Sequence, residues 1–177
     1  GYGTNERATI AAATKLDNNT FTITGGAGSV GVQLYNIFKT GGIELTDNTI
    51  TGADTGMYAF INGGSASVTG GMIDGGTTGV HLTNYLTDYA YSATLAGTVS
   101  MSSVTISNNA TCVLVEDDAL SIEDIILSLG SGVAISGGTT GLSVTGANAK
   151  LDNNDLQDAA FSGQSGDYIK LADTALA

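Results

Sequence analysis

The sequence predicts an all-β protein that folds as a single-domain parallel β-solenoid of about six coils. Three features predict this fold class: a short motif that recurs along the chain, strand-like patterns of alternating apolar residues, and a composition with many glycines and no proline. The chain has 177 residues, of which 26 are Gly and 0 are Pro. This length suits one domain, and the lack of proline suits a fold in which most backbone N–H groups donate to a neighbouring coil.

The recurring motif consists of a leucine, two polar residues, an asparagine, a further polar residue and a large apolar residue. Its clearest copies are 16–21, 45–50 and 151–156. With three looser copies included, the motif ends at Phe21, Ile50, Ile73, Val104, Ile125 and Leu156. A mean spacing of about 27 residues, with two or three short strands in each interval, is typical of one coil of a parallel β-solenoid.

A second motif lies between copies of the first and reads Gly-Val-x-Leu-x-Asn. It is clearest at 31–36 and 79–84, and the segments 56–62 and 132–137 are related to it. Apolar residues at every second position predict a β-strand with one buried face. Because one coil cannot bury its own apolar side chains, we expect successive coils to stack about 4.8 Å apart and to share one continuous core.

Asparagine recurs at one point of the first motif, at Asn19, Asn48 and Asn154. Asparagine tolerates the left-handed backbone geometry of a tight bend, so these residues are predicted to mark turns. Stacked asparagines can also form a hydrogen-bonded ladder from coil to coil. The alternative is that they are ordinary polar turn residues.

The asparagine turns and the Gly-Val-x-Leu-x-Asn strands together resemble the right-handed parallel β-helix of the pectin-lyase-like superfamily. The resemblance covers residues 15–171 as the β-helix, with 1–14 as an N-terminal lead-in or cap and 172–177 as a C-terminal tail. It implies a right-handed coil. Pectate lyases, polygalacturonases, phage tailspikes, adhesin stalks and surface structural proteins share this fold, so the resemblance leaves the function open.

An insertion rich in tyrosine interrupts the third unit and contains Tyr85, Tyr89 and Tyr91. Tyrosine combines a flat apolar ring with a hydrogen-bonding tip. The insertion is therefore predicted to be a contact loop for a sugar ring or a partner subunit. The alternative is a loop that folds back and packs on its own solenoid.

The charge of the chain excludes several classes of function. It has 17 Asp+Glu against 5 Lys+Arg, for a net charge of −12, which argues against nucleic acid as a partner. It has no apolar run long enough for a membrane span. No Lys or Arg lies between Lys39 and Lys150, so an anionic polysaccharide would be repelled along this part of the solenoid.

No catalytic residues are predicted. The segment 116–118 superficially resembles the paired aspartates of polygalacturonases, but the motifs that accompany them there are missing. The single histidine, His81, is predicted to be an outward surface residue at the position of Gln33 and Ala134. Five carboxylates offer the hard oxygen ligands that Ca²⁺ prefers and are its candidate ligands; the alternative is a solvated acidic corner. These are Glu116, Asp117, Asp118, Glu123 and Asp124.

The composition also bears on the compartment. Few lysines, many small polar residues and a pI near 4.1 predict a secreted or cell-surface protein. Two sequons make Asn18 and Asn109 candidate glycosylation sites.

The ends of a solenoid bear on its function because they are open sheet edges, which must be capped, continued or paired. The sequence therefore predicts an extracellular structural protein whose partner is itself, a self-assembling subunit of a surface filament, sheath, layer or adhesin stalk. The alternative is a β-helix that binds or degrades a cell-surface polysaccharide, as a lyase or glycoside hydrolase.

Overall fold

The computed structural model describes residues 14–37, 42–86, 90–117, 121–152, 156, 158–172 and 175–176. The described residues form β-strands and no α-helix, so the all-β prediction is confirmed. No helix among them is long and apolar enough to cross a membrane.

The strands are short and follow one another closely along the chain. In order they are β1 (Thr14–Asp17), β2 (Thr20–Thr22), β3 (Val30–Ile37), β4 (Ile43–Thr46), β5 (Thr49–Thr51), β6 (Thr55–Asn62), β7 (Gly64–Thr69), β8 (Met72–Thr83), β9 (Tyr85–Leu86), β10 (Tyr91–Ser92), β11 (Gly97–Ser102), β12 (Thr105–Glu116), β13 (Ile125–Leu129), β14 (Ala134–Ser136), β15 (Thr140–Thr145), β16 (Ala149–Leu151), β17 (Ala160–Ser162), β18 (Ile169–Ala172) and β19 (Ala175–Leu176).

Two large sheets contain all of these strands except β9 and β10. The first sheet has seven parallel strands in the order β1-β4-β7-β11-β13-β16-β19. The second sheet has ten parallel strands in two arms. Its short arm contains β2, β5, β14, β17 and the beginnings of β8 and β12, and its long arm contains β3, β6, β15, β18 and the ends of β8 and β12.

Each strand of the two large sheets pairs with strands that lie one repeat before or after it along the chain. Six stretches, which we call coils, each supply one strand to the first sheet and one segment to each arm: 14–37, 43–62, 64–83, 97–116, 125–145 and 149–172. This parallel pairing is consistent with the predicted β-solenoid. The antiparallel pair β9–β10 is the exception, and it lies in an insertion between two coils.

Residues in register on successive strands form columns, and the inward columns form the core. Two columns of the long arm run Val32-Met57-Val80-Val113-Leu142-Ile169 and Leu34-Ala59-Leu82-Val115-Val144-Leu171. The short arm contributes the column Phe21-Ile50-Ile73-Ile106-Ile135-Phe161. Stacking of like residues over like is thus what buries the apolar side chains.

The predicted ends of the first motif are right for the first three coils and wrong for the next three. The short arm continues through Ile106, Ile135 and Phe161, whereas Ile125 lies in the first sheet, opposite Gly97 and Ala149. All three faces of a coil alternate apolar and polar residues, so the alternation alone does not tell which face a residue belongs to. The first strand begins at Thr14, and the last described strand, β19, lies within the segment 172–177.

A line of very small residues lets the coils approach at the start of the long arm. Gly31, Gly56, Gly79 and Gly141 each precede the first inward residue of the long arm in their coil, and Cys112 takes this place in the fourth coil. A Cβ atom added to Gly56 would lie 2.6 Å from the carbonyl oxygen of Gly79. Glycine is therefore required there by a close approach of two backbones.

Candidate functional site

The outer face of the long arm carries a column of aromatic and titratable side chains. The histidine His81 lies in register between Tyr58 and Leu114, and Tyr58 lies next to Gln33. The predicted equivalence with Gln33 is therefore right, but that with Ala134 is wrong, because Ala134 pairs with Thr105 on the short arm. The rings of Tyr58 and His81 meet edge to face, with their centroids 5.0 Å apart.

An ion pair joins this column to the acidic segment at the end of β12. The Nε2 atom of His81 lies 2.7 Å from Oε1 of Glu116. The hydrogen bond from His81 lowers the pKa of Glu116; burial opposes this shift, and the charge of His81 adds to it. Side-chain exposure is 19% for His81 and 47% for Glu116, so solvent screens the pair.

The next carboxylate, Asp117, ties three coils together. Its Oδ1 accepts a hydrogen bond of 2.5 Å from Nδ2 of Asn84, and its Oδ2 accepts one of 3.0 Å from the backbone N–H of Asn148. Nδ2 of Asn84 also donates to the carbonyl oxygen of Glu123, at 2.9 Å. Hydrogen-bonded polar networks rigidify a corner, and here the network fixes Asp117 and Glu123 relative to Asn84 and Asn148.

The predicted calcium ligands are thus divided among separate contacts. Glu116 pairs with His81 and Asp117 with two asparagines, whereas a carboxylate oxygen of Asp124 lies 3.8 Å from Nζ of Lys150. Asp118 lies outside the described residues. Within the described ranges, no three His, Cys, Asp or Glu side chains are grouped so as to hold a metal ion.

The tyrosine insertion folds back onto the long arm as a short hairpin of β9 and β10. Phe60 points outward from β6 and is nevertheless fully buried, because the hairpin residues Leu86 and Ala93 cover it. The ring of Tyr91 packs against Phe60 with centroids 5.9 Å apart, and its hydroxyl accepts a hydrogen bond of 3.2 Å from Nδ2 of Asn62.

Tyr85 is half-buried in β9, and Tyr89 lies outside the described residues. The described part of the insertion therefore matches the fold-back alternative.

Asparagines join the first two coils at the predicted turn. Oδ1 of Asn48 accepts hydrogen bonds of 3.0 Å from both the backbone N–H and Nδ2 of Asn19. Nδ2 of Asn48 donates to the carbonyl oxygens of Leu16, at 2.8 Å, and Thr46, at 3.1 Å. These bonds form one step of the ladder expected from stacked asparagines, between the first coil and the second; the equivalent place in the third coil is taken by Gly71. The third residue of the set, Asn154, lies outside the described residues.

The two sequons differ sharply in accessibility. Asn18 is exposed in a turn with a φ of 55°, which leaves its amide accessible. Asn109 is fully buried, and its Nδ2 donates to the carbonyl oxygen of Ser107 at 2.8 Å. The prediction of a glycan on Asn109 needs correction, because a sugar on this nitrogen has no room in the folded chain.

A groove with a volume of about 300 Å³ lies where the short arm meets the long arm in the first three coils. Its one carboxylate, Asp54, accepts a hydrogen bond of 2.7 Å from the backbone N–H of Gly28 and another from the hydroxyl of Thr77. The bond from Thr77, followed by that from Gly28, lowers the pKa of Asp54. Asp54, in the second coil, is thus hydrogen-bonded to both the first and the third coil.

The last described coil differs from the others because its inward apolar side chains in the long arm are exposed to solvent. In the long arm, Ile169 is 39% exposed and Leu171 is 48% exposed, whereas every other member of their two columns is at most 7% exposed. Within the described ranges, β17 pairs only with β14 and β18 only with β15, whereas β19 covers β16. Among the described residues, this edge of the second sheet thus combines exposed apolar side chains with backbone groups that pair with no further strand. We call β17 and β18 the open edge.

No protein-family model matches this chain, and neither do the curated proteins or the solved structures with which it was compared. Its function must therefore be argued from its own surfaces. Sequence reasoning missed the pairing of His81 with Glu116 and the link from Asn84 to Asp117. For Asn84 and Asp117 the signal is the repeat itself, because each directly follows the last paired residue of its strand, Thr83 in β8 and Glu116 in β12. His81 has no such signal, since it lies opposite Leu114 and reaches Glu116 diagonally.

Proposed function

We propose that the chain is a right-handed parallel β-helix of the pectin-lyase-like type and that it serves as an extracellular structural protein. It self-assembles into a surface filament, sheath, layer or adhesin stalk by pairing at coil ends. The parallel register of two many-stranded sheets supports the fold. The acidic composition, with few lysines, supports the extracellular location.

The observation that carries the structural role is the exposure of Ile169 and Leu171 at the open edge. Both continue columns that are otherwise buried, so both have the character of core residues that no further coil among the described residues covers. Full burial of such a side chain contributes about 1.5–3 kcal/mol, so covering the exposed part of each contributes about 1 kcal/mol. Association costs about 4–15 kcal/mol in lost freedom, so apolar contact must be joined by backbone hydrogen bonds between strands. This combination favours concentration-dependent assembly.

Sedimentation velocity over a wide concentration range tests this proposal. The unmodified chain should form larger species as its concentration rises, and Leu171→Lys should suppress them, because it places a charge on the surface to be covered. The matched control is Leu95→Lys, which alters a residue of similar exposure, 51%, away from the open edge. A chain that remains monomeric throughout, or equal effects of both variants, would reject the structural role.

A second candidate function, binding of a polysaccharide, is favoured by the outer column of the long arm. There the ring of Tyr58 packs on that of His81, which lies beside the carboxylate of Glu116, and the ring of Tyr35, in the neighbouring column, contacts Tyr58. Rings and polar groups of this kind suit a sugar, and the acidic surroundings favour a neutral one. Isothermal titration with neutral polysaccharides tests this function: Tyr58→Leu should abolish the heat of binding and Tyr168→Leu, at the open edge, should not.

A further inference from the structure

Two buried side-chain amides are incompletely hydrogen-bonded. Among the described residues, the only buried side-chain oxygen or nitrogen atoms without a hydrogen-bond partner are Oδ1 of Asn109 and Oε1 of Gln164. Asn109 is fully buried, and Gln164 is 8% exposed. The equally buried amide of Asn62 uses both of its ends, because its oxygen accepts two backbone N–H bonds and its nitrogen donates to Tyr91. The two unpartnered oxygens are therefore exceptions that need an explanation.

Both residues lie in one column, at the corner between the short arm and the long arm. From the third coil to the sixth, this column contains Gly76, Asn109, Gly138 and Gln164. Amides thus alternate with glycines. In the asparagine ladder of the first two coils each amide meets another amide, whereas here the glycine in the adjacent coil has no side chain that could donate to the amide oxygen.

The orientation of both amides is fixed by their nitrogen ends. Nδ2 of Asn109 donates to the carbonyl oxygen of Ser107 at 2.8 Å, and Nε2 of Gln164 donates to that of Ile135 at 3.2 Å. Rotating either amide by half a turn would lose this bond and place its oxygen against a carbonyl oxygen. The unpartnered atoms are therefore the oxygens, which are acceptors and need a donor.

The thiol of Cys112 lies in the same part of the core but does not bond to either oxygen. Its Sγ atom lies 3.7–3.9 Å from the carbonyl oxygens of Asn109, Ser136 and Gly137. A thiol has one hydrogen and is a weak donor, so three carbonyl acceptors already compete for it. No described side chain therefore supplies the donor that the two amide oxygens require.

We infer that each of the two oxygens accepts a hydrogen bond from a buried, ordered water molecule, so that this corner is a hydrated site inside the solenoid. A buried oxygen without a donor costs its full desolvation penalty, and a bound water restores the hydrogen bond. Proteins contain about one buried water per 27 residues, and these waters bind polar groups that lack a protein partner. This inference does not depend on the proposed function.

Water suits the site better than a metal ion does. Both oxygens are neutral and belong to different coils, so they do not offer a cation the several close oxygen ligands that it needs. A water molecule needs fewer partners and can donate to an amide oxygen while it accepts or donates elsewhere. The site should therefore hold water whichever salt is present.

Magnetic relaxation dispersion of water deuterons, measured on the full-length chain, counts long-lived internal waters and tests the inference. Gln164→Met and Asn109→Leu each replace an amide with an apolar side chain of similar size, and each should lower the count by one. The matched control is Gln33→Met, which alters an exposed glutamine on the outer face of β3 and should leave the count unchanged. Circular dichroism confirms that each variant keeps the β-fold.

A high-resolution crystal structure of the unmodified chain gives a test that needs no variant. A water oxygen is expected about 2.5–3.0 Å from Oδ1 of Asn109 and another at the same distance from Oε1 of Gln164. Either oxygen without a water beside it, or a count that stays the same in either amide variant, would overturn the inference. Thermal stability that depends on the choice of sodium or potassium at constant ionic strength would indicate a bound cation and would overturn it as well.

Discussion

The middle coils and the last coil use the same columns but differ in what covers them. Leu82 and Val144 in the interior are fully buried, whereas Leu171, which continues the same column, is about half exposed. All three are apolar residues on strands with the same alternation. The difference lies in the next coil, which is present above the first two and missing from the described residues beyond the third.

This contrast shows that burial in such a fold is supplied by the neighbour and not by the coil itself. Each coil contacts chiefly the coils before and after it, so stability approximates a sum of coil and interface contributions. The contribution of a side chain to the free energy of unfolding therefore depends on the position of its coil in the stack. Three pairs of substitutions and one single substitution, ordered by expected effect, test this and related contrasts.

The largest contrast is expected between Leu82→Ala and Leu171→Ala. The first leaves a cavity between two coils and should cost about 2–5 kcal/mol in the free energy of unfolding. The second removes a side chain that already contacts water and should cost less than about 1 kcal/mol in the monomer. Urea unfolding at low protein concentration measures both, and equal costs would contradict the dependence on the neighbouring coil.

A second contrast concerns glycines. A Cβ on Gly56 would lie 2.3 Å from Cγ2 of Ile73 and 2.6 Å from a carbonyl oxygen of the next coil, so Gly56→Ala should cost about 1–3 kcal/mol. Gly26 has nothing within 4 Å of the same position, and Gly26→Ala should change stability by at most about 0.5 kcal/mol. Thermal unfolding compares the two, and similar melting temperatures would show that the coils can separate to admit a methyl group.

The asparagine ladder offers a third contrast, between the first coil and the second. Asn48 is buried and makes four hydrogen bonds to neighbouring groups, so Asn48→Ala should cost about 1–3 kcal/mol. Asn19→Ala removes one bond to Asn48 and one to the carbonyl oxygen of Asp17 at a more exposed site, and it should cost less. Denaturant titration of both variants measures the difference. A larger loss from Asn19→Ala would contradict the assigned roles.

The smallest effect is expected on the outer face, at His81 and Glu116. Since the pKa of Glu116 is lowered in the folded chain, the pair contributes stability above the ordinary pKa of a glutamate, and this contribution is lost as pH falls through the folded-state pKa. Exposed pairs contribute about 0.2–1 kcal/mol. His81→Gln should therefore lower the melting temperature slightly at pH 6, and its difference from the unmodified chain should shrink by pH 3. A difference that grows on acidification would contradict the pairing.

Sequence reasoning reached the strands and the stacking but not the full register. The prediction that Phe21, Ile50 and Ile73 are equivalent is right, because each directly follows a turn that recurs in the first three coils. Beyond them, the hairpin insertion and the loop after β12 change the spacing, and Ile125 was assigned to the wrong face. Hydrogen-bond register decides which of several equivalent alternations is used, and a single sequence does not contain that information.

The candidate surfaces were less predictable than the core. The sequence predicts a projecting contact loop that contains Tyr85 and Tyr91, because aromatic residues in an insertion often bind a ligand or a partner. Their fold-back depends on Phe60, which points outward from β6 and needs cover. The exposure of Ile169 and Leu171 depends on what lies beyond the last coil, and neither residue differs in type from its buried counterparts.

The fourth coil has Cys112 at the start of the long arm, where four other coils have glycine, and this difference has a practical consequence. Its thiol lies inside the fourth coil, and burial raises its pKa, so alkylating reagents should reach it only when the stack parts at that point. The rate at which the native protein is labelled therefore measures how often the coils separate locally around Cys112, without an engineered probe. This measurement does not depend on what happens at the first or the last coil.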